Sequence, residues 1–246
     1  MTPEELVAIA CPKIRDMGWA YYFVPPTIAR GEELGLDTVS FYVLGRGGVL
    51  GDVEAGVIVS AFGYFEPSML AAIWDKARTV MAPRDAARAY MECCAQLGRD
   101  RFSTMDDLEG FCAAAGAVHD AADPVGLALY AGFACEPLVE DLPGRAMQLV
   151  SVLRELRGSA HLLAVRASGL DGRTAHFISR PNDVAMFGWS DDDPPVITDA
   201  ERAKLAAAER LTDEIVLPAY AVLDQASQSA LLGGLEQMEA AFAATP

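Results

Sequence analysis

Apolar residues recur along this chain at helical spacing, and glycines and prolines punctuate them. The clearest stretch lies near the C-terminus, where Leu231, Leu235, Met238 and Phe242 follow one another at steps of four, three and four residues. Such steps place side chains on one face of a helix. Strands need alternating apolar and polar residues, and that alternation is scarce here. The pattern therefore predicts an all-α, mainly helical protein with little or no sheet.

Helix starts and the C-terminal pattern suggest how the chain is organised. Thr198 and Glu201 have the spacing of a capping box, which predicts the start of a long helix. Two long amphipathic helices follow, a pattern that favours a packing or dimer seam. We expect an N-terminal helical region over residues 1–140 and a second helical region over residues 141–246. The two regions are also compatible with one continuous domain.

Glycines are expected to end helices and to form a loop. A predicted helix beginning at Pro143 ends at Gly158, and Ser159 then caps a second helix that carries His161 just inside its start. The glycine-rich stretch from Tyr42 to Asp52 matches neither nucleotide-binding glycine motif. We therefore expect it to be a loop between helices.

Charge and composition narrow the expected partners. The 246 residues include 35 acidic and 19 basic ones, which gives a net charge of −16. Such a charge repels phosphate backbones and anionic lipid. The N-terminus lacks the basic start of a signal peptide, and no apolar run approaches the length of a membrane span. We expect a cytoplasmic protein that binds neither DNA nor a membrane.

One stretch carries a resemblance to a known family. The sequence VLRELRGSAHLLAVRASGLDG resembles a family of helical actinobacterial proteins whose motif runs L-R-E-H-R-G-D-G-H, then small apolar residues, then G-L-D-G. The matching residues are Leu153, Arg154, Glu155, Arg157, Gly158, His161 and Gly169 to Gly172. That family resembles MarR-type winged-helix regulators, especially in its C-terminal helices. The resemblance implies a winged-helix-like C-terminal part.

The sequence departs from that family where a DNA-reading helix is expected. In the family, the segment corresponding to residues 182–204 has a helix, a G-W-S-D-E-E turn, a recognition-like helix and a small wing. Here the turn is kept at residues 188–190, and residues 191–195 read DDDPP. Proline removes an N–H and disfavours helix before it, and the next capping residue is already Thr198. The winged helix is therefore expected to be degenerate, with its recognition helix lost.

A second segment offers an alternative DNA-binding unit. Residues 161–180 can form a helix-turn-helix with Gly169 at the turn, which would present Arg173, His176 and Arg180 to DNA. This alternative makes the protein a residual MarR-like transcriptional regulator.

Ligand-binding and catalytic chemistry depend on a small set of residues. His161 is a candidate ligand contact or acid–base group, although a histidine that only packs between helices would fit the same pattern. The aromatic stretches WAYYF and FGYFEP can line an apolar cavity or fill the core. The candidate ligand-binding residues are His161, Arg157, Arg154, Trp19, Tyr22, Tyr64, Phe65 and Arg46.

Together these observations predict a helical protein that binds a small apolar or aromatic molecule and does not bind DNA. A homodimer through the C-terminal helices is expected. The alternatives are an enzyme that uses His161 and the residual regulator. The five cysteines and three histidines lack the spacing of metal ligands, so no metal site is predicted, and no cofactor is identified.

Overall fold

The described chain is built from helices. The computed structural model describes residues 1–244, which contain twelve α-helices, two short 3-10 helices and no β-strand. The α-helices are α1 (Pro3–Met17), α2 (Pro25–Glu33), α3 (Thr38–Gly47), α4 (Ala55–Phe62), α5 (Pro67–Ala77), α6 (Pro83–Phe102), α7 (Leu108–Ala121), α8 (Ala128–Ala134), α9 (Leu142–Ala167), α10 (Gly172–Ser179), α11 (Asp199–Tyr220) and α12 (Gln225–Ala243). The 3-10 helices are Gly48–Leu50 and Val184–Phe187. The prediction of an all-α fold is confirmed. Among the described helices, none is both long and apolar enough to cross a bilayer.

Capping residues set the starts of the two best-predicted helices. At α1, the Thr2 hydroxyl accepts a hydrogen bond from the Glu5 N–H at 3.2 Å, and the Glu5 carboxylate accepts one from the Thr2 N–H at 2.8 Å. Thr198 and Glu201 form the same reciprocal pair at the start of α11. Each cap satisfies backbone donors that a helix start leaves open, and losing one costs about 1 kcal/mol.

Helix α9 forms the centre of the fold. It packs against α1, α6, α7, α8 and α11. Residues 146–153 are all buried, because neighbours cover every side of the helix over these two turns. A helix that is covered all round is apolar on most faces, and here the buried polar residue Gln148 is satisfied, since its amide donates to the Met91 carbonyl oxygen and accepts from the Val139 N–H.

The predicted helix end at Gly158 is wrong. Helix α9 runs without a break to Ala167, so His161 lies in the interior of a helix and not just inside its start. The hydroxyl of Ser159 does not cap this helix, since it accepts a hydrogen bond from the Tyr130 N–H in α8 at 3.2 Å. A glycine inside a helix costs up to about 1 kcal/mol, which the packing of α9 offsets.

The glycine-rich stretch from Tyr42 to Asp52 is also helical over most of its length, which corrects the predicted loop. Its glycines allow α3 and the following 3-10 helix to approach α6 closely. A Cβ at Gly45 would lie 2.6 Å from the ring of Tyr90, and one at Gly48 would lie 2.0 Å from the carbonyl oxygen of Pro83. These glycines therefore serve close packing.

The apolar interior is divided into two clusters. The main core takes residues from α1, from α3 through α9, and from α11 and α12. A smaller core consists of Ala164, Val165, Leu170, Ala175, Leu205 and Ala208. These residues come from the end of α9, from the turn that follows it, from α10 and from the first half of α11. We call residues 164–211 the head and the rest of the described chain the body. The boundary that the sequence suggested, between residues 1–140 and 141–246, is a different division and stays a prediction.

The apolar stripe of the last helix packs within the chain and does not form a dimer seam, and a homodimer through the C-terminal helices stays a prediction. Helix α11 lies against α9 and α1, and α12 lies against α7 and α1. Leu231, Leu235 and Met238 have no exposed surface. The apolar stripe that suggested a seam for a second copy is thus buried inside one chain.

The segment between the head's 3-10 helix and α11 contains no α-helix. The 3-10 helix ends at Gly188, whose φ of +81° suits glycine. Trp189 then anchors the chain, because its indole N–H donates to the carbonyl oxygen of Tyr64 at 2.8 Å. Residues 190–198 continue as turns and irregular structure up to the start of α11.

Candidate functional site

A cavity of about 430 Å³ lies between the head and the body. Its body wall comes from α1, α3, α4 and α9, and its head wall comes from α10, the Val184–Phe187 3-10 helix and α11. The volume is in the range of small-molecule sites. The charged lining residues are Arg15, Asp16, Arg46, Arg154, Arg157, Arg180 and Glu209.

Most of the predicted ligand-binding residues meet at this cavity. Those that line it are His161, Arg157, Arg154, Tyr64, Phe65 and Arg46. Trp19 lies apart, in the turn after α1, and is 44% exposed. Tyr22 is buried behind the cavity wall and belongs to the ion network described next. A role in ligand binding stays a prediction for all of them.

A buried ion network forms the floor of the cavity around Glu155. This carboxylate is fully buried and accepts two hydrogen bonds from Arg46, at 2.9 Å and 2.8 Å. It also accepts one from the Tyr22 hydroxyl at 2.9 Å and one from Arg154 at 2.5 Å. Burial alone would raise the pKa of Glu155, but the two guanidinium groups and the hydrogen bonds overcome this and lower it to about 2. Glu155 is therefore a permanent anion between two cations.

A second ion group lies on the side of the cavity toward α11. Arg157 donates to Glu209 at 2.7 Å and lies 3.7 Å from a carboxylate oxygen of Asp213. Burial raises the pKa of Asp213, although Arg157 opposes this. This group joins α9 to α11 near the boundary between body and head.

His161 is held as a neutral imidazole beside that group. The Thr212 hydroxyl donates its single hydrogen to the Ala208 carbonyl oxygen at 2.7 Å, so it accepts from His161 Nδ1 at 2.9 Å. This assigns the ring proton to Nδ1 and leaves Nε2 as an acceptor, 3.7 Å from a Glu209 oxygen. Burial lowers the pKa of His161, although Glu209 opposes this. Its free nitrogen can accept a hydrogen bond or a proton from a bound molecule.

The structure adds residues to the cavity that were not among the predicted ligand-binding residues, two of which, Arg180 and His176, were expected to face DNA. Arg180 and His176 come from the head, and Glu209 comes from α11. Glu155 lay within the matched motif but was not expected in the site. An acidic residue next to an arginine in an otherwise apolar helix is a sequence signal from which Glu155 could have been predicted as a buried ionic residue. Nothing in the sequence placed Arg180 near Arg154.

Residues 161–180 comprise the end of α9, a turn and α10, which is the succession of elements expected for the alternative DNA-binding unit. Helices α9 and α10 are joined by a turn at residues 168–171, in which Gly169 has a φ of +73°. A short turn with a left-handed glycine is typical of this motif. Of the residues expected to face DNA, Arg180 is exposed and Arg173 is partly exposed. His176 is 4% exposed and its ring centroid lies 4.0 Å from that of Phe187, so its predicted DNA contact is wrong.

Comparison with known proteins places this geometry in a family. A model described as a helix-turn-helix family matches residues 12–192. No curated protein and no solved structure matches the chain. Helix-turn-helix proteins typically bind duplex DNA. The family match therefore overturns the sequence-based prediction of a ligand-binding protein that does not bind DNA, together with the predicted exclusion of DNA as a partner. Because the match covers most of its length, the chain belongs to this helix-turn-helix family.

Proposed function

We propose that the protein is a DNA-binding transcriptional regulator that contacts duplex DNA through α9, the turn at residues 168–171 and α10. Membership of a helix-turn-helix family over residues 12–192 is the observation that carries this proposal. A relationship to MarR-type regulators and a cytoplasmic location are part of the same proposal. The α9–α10 geometry supports it, because the second helix of such a unit is the one that enters the major groove.

Three arginines are the proposed DNA contacts. Arg166 lies at the exposed end of α9, Arg173 lies in the first turn of α10, and Arg180 directly follows α10. Arginine side chains bind phosphates and base edges. Arg166 also donates to the Leu170 carbonyl oxygen at 3.3 Å, which holds its guanidinium beside the turn.

The acidic segment at residues 191–193 limits this surface. The resemblance found in the sequence implies a recognition-like helix after the turn at Gly188. We propose that this helix is lost here, which leaves α10 as the reading element. Arg173 donates to the backbone carbonyl of Asp193, and its guanidinium lies 3.5 Å from the carboxylate. The acidic segment therefore competes with phosphate for Arg173.

The net charge of −16 predicts that DNA binding is modest and sensitive to salt. If three arginines meet phosphates, the logarithm of the association constant falls against the logarithm of salt concentration with a slope of about −3. A protein with a continuous basic face gives a much steeper slope.

Fluorescence anisotropy with a pool of random-sequence duplexes tests the proposal at several salt concentrations. We expect saturable binding at low salt, and each of Arg166→Gln and Arg180→Gln should weaken it and reduce the slope by about 1. Arg88→Gln is the matched control, since Arg88 is an exposed arginine on α6 in the body. Absence of binding at low salt, or equal effects of all three variants, would contradict the proposal.

A further inference from the structure

The segment that follows the second 3-10 helix lies across α10, and we call residues 187–193 the strap. Its start is fastened to the turn between α4 and α5 by two hydrogen bonds. The Glu66 N–H donates to the Phe187 carbonyl oxygen at 2.8 Å. The Trp189 indole N–H donates to the Tyr64 carbonyl oxygen at 2.8 Å. The strap therefore links the body to the surface of α10.

The strap covers the side of α10 on which Arg173 and His176 lie one turn apart. The Phe187 ring packs on the His176 ring, with their centroids 4.0 Å apart. At the other end of the strap, Arg173 donates to the carbonyl oxygen of Asp193. The Arg173 guanidinium also lies 5.3 Å from the centre of the Trp189 ring. Both ends of the strap thus contact the same face of α10.

This cover leaves little of α10 open to solvent. Five of the eight residues of α10 are buried. Over residues 172–180, the exposed ones are Ser179 and Arg180, at the C-terminal end. A helix that reads DNA places side chains from one of its faces into the major groove. The strap therefore occupies the space that a duplex would need beside Arg173.

The closed strap leaves two polar atoms beneath it unsatisfied. Within residues 1–244, Arg173 Nε and His176 Nε2 are buried and have no hydrogen-bond partner. Buried polar groups without partners are unfavourable and uncommon in folded proteins. Solvent or a bound phosphate could satisfy these atoms once the strap moves away. Their cost in the closed state therefore lowers the free energy needed to open the strap.

The strap can also move without disturbing the apolar core. Residues 190–193 are exposed and lie outside any helix, and so do residues 181–183, which precede the second 3-10 helix. Beyond the strap, Val196 is 83% exposed, so its apolar side chain does not hold the segment in place. Segments with few buried contacts open at low cost in free energy.

We propose that the strap is an autoinhibitory cover of α10, which keeps duplex DNA away from the Arg173 face when closed and exposes that face when open. The inference rests on the proposed function, because the covered face is part of the proposed DNA contact. When the strap opens, a phosphate takes the place of the Asp193 carbonyl oxygen at Arg173. The apparent affinity is then the intrinsic affinity reduced by the fraction of molecules that are open. Loosening the strap therefore tightens DNA binding.

Trp189→Ala loosens the strap, because it removes the indole donor and the ring beside Arg173. Trp19→Ala is the matched control, since Trp19 is 44% exposed and lies in the body. Hydrogen exchange of the Glu66 N–H, followed by NMR on the full chain without DNA, reports on the strap, to which this N–H donates. We expect this exchange to be about tenfold faster in Trp189→Ala and unchanged in Trp19→Ala.

A reversible disulfide holds the strap closed. A Cβ built at Gly188 lies 3.0 Å from the Glu66 Cβ, and a disulfide needs about 3.5–4.5 Å, so a small shift allows Glu66→Cys and Gly188→Cys to form the bond. The oxidised and reduced forms of this double variant differ only in the lock. The single variant Glu66→Cys, treated in the same way, controls for the five native cysteines.

Fluorescence anisotropy with the pool of random-sequence duplexes measures the effect on DNA binding. We expect Trp189→Ala to bind duplex about tenfold more tightly than the parent and Trp19→Ala do. The oxidised double variant should bind at least about tenfold more weakly than its reduced form. Oxidation of the single variant Glu66→Cys should leave its affinity unchanged.

Three results separate the strap from the proposed function. Unchanged exchange of the Glu66 N–H in Trp189→Ala would overturn the strap as a movable cover. If the parent binds duplex and neither Trp189→Ala nor the disulfide alters the affinity, the proposed function stands and the autoinhibition fails. If Trp189→Ala speeds the exchange as expected and no form of the protein binds duplex, the movable cover stands and the proposed function fails.

Discussion

Replacing Glu155 by glutamine tests the buried ion network most directly. Glu155→Gln keeps the shape of the side chain but removes the negative charge that Arg46 and Arg154 share. Both guanidinium groups would then face each other in a buried site without a counter-ion. Removing one partner of a buried ion pair typically costs about 3–5 kcal/mol.

The pKa of Glu155 gives an independent magnitude for the same effect. The surrounding charges lower it from an ordinary value of 4.5 to about 2. At about 1.36 kcal/mol for each pKa unit, this corresponds to roughly 3 kcal/mol of stability. Because the folded pKa is lowered, this contribution is fully present above pH 4.5 and is lost as the pH falls toward 2. A domain is stable by about 5–15 kcal/mol in total, so the expected loss is large.

Urea unfolding followed by circular dichroism measures the free energy of unfolding of parent and variant. At pH 7 we expect Glu155→Gln to lose about 3 kcal/mol or more. Its stability should also decline less than the parent's between pH 4.5 and 2, where other carboxylates with lowered pKa values still contribute. Glu92→Gln is the control, since the exposed Glu92 carboxylate accepts from Arg99 at 2.5 Å, and surface pairs contribute at most about 1 kcal/mol. A loss below about 1 kcal/mol in Glu155→Gln would refute the reasoning.

Three smaller changes test other parts of the structure. Gly158→Ala should raise the free energy of unfolding by about 0.5–1 kcal/mol, because a Cβ there meets nothing within 4 Å. Gly45→Ala should lower it by about 1–3 kcal/mol, because a Cβ there would lie 2.6 Å from an aromatic ring. If urea unfolding shows that both variants are more stable, or both less stable, than the parent, the assigned packing is contradicted. Replacing the aspartates at 191–193 by asparagine should tighten duplex binding measured by anisotropy, because three negative charges beside Arg173 are removed; unchanged affinity would argue against their competition with phosphate. The His161 imidazole should titrate below pH 6.5 by NMR, since burial lowers its pKa. The unfolded chain therefore binds a proton more readily than the folded one, and the free energy of unfolding should fall as the pH drops below 6.5. In the His161→Gln variant the free energy of unfolding should fall less over that range.

The candidate site was predictable in part from residue types. Arginines and a histidine around the matched motif, Arg46 in the glycine-rich stretch and two aromatic stretches supplied eight candidates, and six of them line one cavity. Trp19 was misplaced, because an aromatic residue in a turn can face either the interior or solvent. The ion pair between Arg46 and Glu155 joins residues 109 positions apart, and the packing of both α3 and α9 against α6 brings them together.

Net charge was the least reliable guide to partners. A value of −16 describes the field far from the molecule, where all charges add. It does not describe a surface such as the end of α9 and α10, where Arg166 and Arg180 are exposed. The net charge of the whole chain therefore could not exclude DNA as a partner, because DNA binding depends on the charges that lie at the contact.

The sequence by itself determined the secondary structure class and several helix starts. Helical spacing of apolar residues and the caps at Thr2 and Thr198 depend on interactions within about four residues, which the sequence displays directly. The tertiary structure decided which glycines end helices. Gly158 lies within α9, and Gly45 lies against α6, because neighbours distant in the sequence pack there. It also decided that the C-terminal stripe is buried in one chain and that head and body enclose a cavity, since both depend on how helices pack and not on their local patterns.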